Sequence, residues 1–278
     1  MDLRISYRPR LFGWTAGAAA AVAVVFSTNS FAQASAQRDP DEFRTSVSVG
    51  VDRSSGKFGG SQNTDITYVP LTLKMENADT VLKLTVPHIS ITGPSNVIGG
   101  AGTPIVTRGN TGTVARRSAS GLGDVVASLG INIGRNPAGY GVDLVTKVKF
   151  PTADEKQGLG TGERDYFVQF DGYSVVGKAT YFGTIGYKKM GDTPTIDFRD
   201  TTFGSLGISL AMTKKTQSGL IYDHRQSSVA GVQGQREVTL FISHQIDKDL
   251  RLQGYAVGGL TDSSVDRALG LQVAKALD

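Results

Sequence analysis

The sequence has 278 residues, with 35 glycines, no cysteine, 19% charged residues and a formal net charge of +4. An absence of cysteine rules out a disulfide framework, so stability must come from a large core or a closed hydrogen-bonded sheet. The basic residues are scattered, with neither the stripe nor the module that nucleic-acid binding requires. Glycine, about one residue in eight against a usual ~7%, follows no collagen-like period and points to a β-protein with many turns.

Residues 1–36 read as a secretory signal peptide, with Arg4, Arg8 and Arg10 before an apolar run from Ala16 to Phe26 and small residues around Ala34 and Ala36 for cleavage. Its removal, with three arginines and Asp2, takes the formal charge from +4 to +2. The expected division is therefore a signal peptide over 1–36 and a single domain over 37–278. No later stretch approaches the ~18 consecutive apolar residues of a spanning helix, so any membrane crossing must be β.

Strand-like alternation then recurs along the chain. Val47, Val49 and Val51 alternate with small polar residues between Phe43 and Arg53, and Asp65 to Glu76 sets Leu71, Leu73 and Met75 against Thr72 and Lys74, with Pro70 as an objection to a central strand. From Thr80 to Thr92 the apolar set changes phase near Pro87, from Leu82 and Leu84 to Ile89 and Ile91, which predicts a β-bulge. Gly93 to Ser120 lacks sustained periodicity and reads as a long loop, followed by a strand from Leu122 to Gly134. The hairpin Gly139 to Phe170 has long alternating arms, its second arm continuing to Val176; near 9–11 residues, such arms suit a tilted bilayer-crossing strand. Further strands are expected over Ala179–Lys188, Phe203–Met212, Gln217–Gln226, Glu237–Ile246, Leu250–Leu260 and a last segment ending near Ala274.

The total is about twelve strands, and long or glycine-rich connections alternate with tight turns. That asymmetry belongs to bacterial outer-membrane barrels with long external loops and short periplasmic turns. The expected fold is all-β, a transmembrane antiparallel up-and-down β-barrel in the outer membrane, inserted by barrel-assembly machinery and surrounded by lipid and lipopolysaccharide.

Three segments, GLGDVVASLGINIG at 121–134, VKFPTADEKQGLGTGERDYFVQF at 148–170 and IGYKKMGD at 185–192, resemble the outer-membrane family associated with the meta-cleavage pathway of phenol degradation. The resemblance implies an outer-membrane barrel with a transport role near aromatic catabolism. The chain ends LQVAKALD, without the terminal aromatic common in such barrels, which leaves the register of the last strand open.

Alternation places Asp124, Asp143, Lys147, Lys149, Asp171 and Arg251 opposite apolar faces, hence toward the lumen, because a Lys or Arg at mid-bilayer costs ~2–4 kcal/mol. These are the candidate pore-lining residues; the bland alternative is a paired network filling a closed interior. Arg108, Arg116 and Arg117 of the long loop are candidates for a mouth constriction in which they pair with Asp124, Asp143 or Asp171 and attract anionic aromatic solutes; otherwise the loop touches only lipopolysaccharide. Gly158-Leu159-Gly160-Thr161-Gly162 lacks the Lys-Ser/Thr of a phosphate loop and reads as a flexible external loop. His88, His224 and His244 fall on separate strands, which argues against a metal, and no cofactor is implied. His88 and Ser90, two apart on one face, leave a lipase-like hydrolase as an alternative. Tyr68, Tyr140, Tyr166, Phe167, Tyr181, Phe182, Tyr187, Phe203 and Tyr255 are candidates for interfacial girdles. The leading reading is a non-enzymatic passive channel for small hydrophobic or aromatic compounds.

Overall fold

A computed structural model describes residues 41–100, 104–106, 115–136, 139–193 and 196–277. The expected signal peptide and its boundary lie outside the described residues. The strands are β1 (Arg44–Gly56), β2 (Thr64–Glu76), β3 (Thr80–Pro94), β4 (Val97–Ile98), β5 (Ile105–Val106), β6 (Arg116–Leu122), β7 (Val125–Asn136), β8 (Tyr140–Phe150), β9 (Asp165–Val176), β10 (Ala179–Lys189), β11 (Thr201–Ala211), β12 (Thr216–Arg225), β13 (Gln235–Gln245), β14 (Leu250–Gly259) and β15 (Arg267–Ala276). Each long strand pairs antiparallel with its chain neighbours, and β1 pairs with β15, so the sheet closes. Because β6 and β7 together form one stave against β3, the barrel has twelve staves. The last strand, despite lacking a terminal aromatic, keeps unbroken register with both neighbours, Val273 lying opposite Val49 and Leu252.

The period of two decides which side chains meet lipid. Leu71, Leu84, Ile133, Ile185, Leu206, Leu240, Ile242, Leu269 and Leu271 are all exposed on the outer surface, while Asp52, Thr85, Lys147, Gln169, Thr239 and Gln253 are buried on the inner one. In solution such an outer face would be untenable, whereas a lipid belt covers it and the closed ladder satisfies the backbone. The molecule is thus an outer-membrane barrel.

The connections sort by side. Spans 57–63, 95–115, 151–164, 190–200, 226–234 and 260–266 are long, and the intervening turns at 77–79, 137–139, 177–178, 212–215 and 246–249 are short. Three of the short turns share one device: Asn77, Thr213 and Asp247 each accept, through a side-chain oxygen, the backbone N–H groups two and three residues on, at 2.8–3.1 Å.

The expected bulge at Pro87 is corrected. The β3 alternation never slips; Ile89 and Ile91 share the inward face of Val81 and Thr85, so apolar residues merely pass from the lipid face to the interior toward the loop side. The irregularity lies on the neighbouring stave, where Gly123 and Asp124 separate β6 from β7. Pro70 and Pro87 sit directly opposite one another, a position that asks neither for an N–H toward the other. On their far sides the ladders are interrupted, between β1 and β2 at Gly50 and Val51 and between β3 and the β6–β7 stave at Gly123.

The long span Gly93 to Ser120, expected to be a loop, contains the small hairpin β4–β5 and ends in β6, which extends the wall beyond Leu122.

Candidate functional site

The loop-side mouth of the barrel is divided. On the side of β1, β2, β3, β6, β14 and β15 it is filled by a core in which loop residues Phe58, Val97, Ala153, Leu159 and Val265 pack on inward-facing Ile66, Ile89, Ile91, Ala119, Val257 and Ala268. The 158–162 glycine segment is therefore no flexible external loop. Gly158 and Gly162 adopt φ of 64° and 76°, which an L side chain resists, and the bend drives Leu159 into the core, where it is 2% exposed. Asp154 starts the bend by accepting the Lys156 and Gln157 amides at 2.9 and 3.2 Å and the Gln157 carboxamide at 2.8 Å. Bonding to Gln157, first through its amide, holds the Asp154 carboxyl below the usual range.

An ion cluster fastens this segment to the wall. Lys149 Nζ lies 3.0 Å from Asp124 and 3.3 Å from Asp165, and donates to Thr161 Oγ1 at 2.7 Å. Asp124 Oδ1 accepts the Ala153 N–H at 3.1 Å, and Asp165 also takes Lys188 Nζ at 3.0 Å and the Gly191 N–H at 3.1 Å. Buried charges stay ionised only with such multiple partners.

On the side of β9 to β13 the described residues leave a cleft. The cleft is lined by Phe167, Lys188, Phe203, Arg225 and Gln235 from the strands, by Val229, Val232 and Gln233 from the 226–234 connection, by Gly100, Pro104 and Ile105 of the 95–115 span, and by Lys149 and Asp165. Phe167 and Phe203 meet edge to face at 6.5 Å, and Lys188 Nζ lies 5.2 Å from the Phe167 ring centre. Arg225 is ion-paired with Glu237 and donates from Nε to Gln235 Oε1 at 3.2 Å. Val229, Phe198 and Met190 form a small core joining the 190–200 and 226–234 connections beside the cleft.

Below the mouth, the inner wall carries Tyr173, Phe182, Ile221 and Phe241 as one apolar cluster. Four rings in this wall lie over glycines directly across the ladder: Tyr173 over Gly141, Phe182 over Gly207, Phe241 over Gly219 and Tyr255 over Gly270, where an added Cβ would come within 2.0–2.7 Å of ring atoms. The high glycine content thus makes room for flat aromatic surfaces inside the barrel.

The six candidate pore residues, Asp124, Asp143, Lys147, Lys149, Asp171 and Arg251, are all buried on inward faces. Of the six, Asp124 and Lys149 form an ion pair at the mouth. Asp143 accepts from Asn132 Nδ2 at 2.6 Å, and Asp171 accepts from Gln169 at 2.7 Å and Thr184 at 2.6 Å. Arg251 sits at the short-turn end of β14.

The two described loop arginines bond to loop carbonyls. Arg108 lies outside the described residues. Arg116 is exposed and donates to the Asn63 carbonyl at 2.9 Å, and Arg117 donates to the Val97 and Gly158 carbonyls at 2.9 and 3.5 Å, tying two loops together instead of pairing with Asp124, Asp143 or Asp171. The reason is local: Asp124 is already taken by Lys149 and the Ala153 amide. His88 and Ser90 share the outer face, but the imidazole meets Ser120 Oγ on β6 at 3.4 Å. The girdle set splits, since adjacent rings must face opposite ways. Tyr140, Tyr166, Tyr181 and Tyr187 are exposed outside; Tyr68, Phe167 and Phe182 are buried inside, and Phe203 and Tyr255 share their inward parity.

Sequence reasoning passed over Asp165, Lys188, Arg225 and Glu237. Parity alone marks them: Asp165 shares a face with Asp171, and Lys188 with Phe182.

No protein-family model and no curated protein matches the sequence. Among solved structures, the fold is similar to the COG4313 outer membrane channel from Pseudomonas putida F1, with a TM-score of 0.65, 13% identity, and coverage of 87% of this chain and all of that one. It is also similar to the KdgM porin in complex with disordered oligogalacturonate, with a TM-score of 0.51 and 9% identity over 83% of this chain and 99% of that one. At these identities the similarity is one of fold.

Proposed function

We propose that the barrel is a passive channel for small hydrophobic or aromatic compounds crossing the outer membrane. The observation that carries this reading is the apolar cluster of Tyr173, Phe182, Ile221 and Phe241 on an inner wall that also carries Gln169, Thr239 and Gln253, below a mouth cleft that also presents rings. An aromatic solute exchanges water for ring contacts along this surface. Asp124, Asp143, Lys147, Lys149, Asp171 and Arg251 line the polar remainder of this path, and the 93–120 segment narrows its mouth. The likeness in fold to an outer-membrane channel agrees with the reading.

Liposomes containing the barrel should take up benzyl alcohol faster than protein-free liposomes, with arabinose lagging. Equal rates with and without protein would overturn the channel. Removing Ile98 to Thr113 should raise single-channel conductance, and an unchanged trace would leave the segment without a constricting role.

The filled half of the mouth favours a second reading, a closed barrel of structural role. No conductance in either protein would select it.

A further inference from the structure

Resting on the channel reading, we propose that the open half of the mouth is a capture site for a small aromatic carboxylate, a single ring bearing one carboxyl group. Two ion pairs border the cleft: Arg225 lines it with Glu237 set back in the wall, and Lys188 lines it together with Asp165 and Lys149. The Lys188 side chain is 15% exposed against 1% for Asp165, and the Arg225 side chain 11% against 2% for Glu237. A solute in the cleft therefore meets three cationic side chains, Lys149, Lys188 and Arg225, and one carboxylate, Asp165. Among the described residues neither the Lys188 nor the Arg225 head is exhausted. An ammonium has three N–H donors, and Asp165 occupies one direction of Lys188; a guanidinium has five, of which Glu237 and Gln235 engage two on Arg225. The remaining donors suit a carboxylate.

The ring has its own complement. Phe167 and Phe203, set edge to face, form one apolar wall, and Val229 and Val232 form another. With Lys188 already near the Phe167 ring, a benzoate-like ligand places its carboxylate on the cation and its ring along the phenylalanines. A neutral ring gains only the second contact, and a small aliphatic acid only the first. The 93–120 arginines, expected to attract such anions, are engaged elsewhere where described, and the strand cations of β10 and β12 take that role.

Calorimetric titration of the whole barrel in lipid nanodiscs with benzoate, benzyl alcohol and acetate tests the assignment. Benzoate should bind at least ~10-fold more tightly than either comparison compound, and Lys188→Gln should weaken benzoate binding by about tenfold. That variant leaves Asp165 with Lys149 and the Gly191 amide, so the barrel should still migrate differently on gels before and after heating. Phe203→Ala, which leaves both ion pairs intact, should reduce the preference for benzoate over acetate. Equal affinity for benzoate and benzyl alcohol, or benzoate binding unchanged in Lys188→Gln, overturns the site. Liposome uptake of benzyl alcohol measured on the same preparation separates the two readings. Uptake without benzoate binding removes the site and leaves the channel, and binding without any uptake keeps the site and removes the channel.

Discussion

The two halves of the mouth are built from the same kinds of strand end, yet one is filled and the other open. In the filled half, connections contribute buried apolar side chains, Phe58, Val97, Leu159 and Val265, that meet inward isoleucines and alanines. In the open half, the nearest connection contributes Gln226, Ser227, Ser228 and Gln233, and its apolar residues Val229 and Val232 pack with Met190 and Phe198 of the 190–200 connection and with Ile105 of the 95–115 span. What separates the halves is whether a connection carries an apolar residue aimed at an apolar inner wall. Between them stands the Asp124–Lys149–Asp165–Lys188 cluster, its inner members fastening the filled half and its outer lysine facing the open one.

The strongest way to break this division is to remove the shared fastening. Lys149→Met strands Asp124 and weakens the set around Asp165, and breaking a buried pair from one side costs about 3–5 kcal/mol. The folded, unheated gel band should disappear at a markedly lower urea concentration. Next comes Leu159→Ala, which hollows the filled half at a cost of about 2–5 kcal/mol. It should lower the urea midpoint and raise single-channel conductance, since the 158–162 segment loses its anchor. Thr161→Val removes the hydrogen bond from the Lys149 ammonium, about 1.5–3 kcal/mol, and a long one from the Glu163 N–H at 3.5 Å, but Lys149 retains two carboxylates, so the midpoint shift should fall near the lower end. Gln233→Ala, exposed in the open half, should stay within about 0.5 kcal/mol of the parent. A large stability loss there would mean the open half is a packed part of the fold after all.

Much of the architecture is legible in the sequence. The twelve staves, their faces and the alternation of long and short connections follow from the period of two and from turn chemistry, both of which act over a few residues. Asn77, Thr213 and Asp247 close their turns with their own side chains, and no distant residue is needed. The candidate lumen residues are legible to the same extent: Lys147 and Asp171 can be placed as inward positions, but the Gln169 and Thr184 donors to Asp171 cannot be read.

Partners, and what fills the interior, required the tertiary structure. Ile89 and Ile91 looked like a register slip because apolar residues on a membrane strand are expected to face lipid, and nothing within β3 announces that residues of other connections, Phe58, Ala153 and Leu159 among them, make its inner face apolar too. The same holds for Lys149, whose carboxylates come from Asp124 on the preceding stave and Asp165 beyond a loop. Arg117, read as reaching into the lumen, instead stops at loop carbonyls. Alternation along one strand fixes the side on which a residue stands, because the backbone alone imposes it. Ion pairs and core contacts depend on which strand ends and loops meet around the closed barrel, and only closure sets those distances.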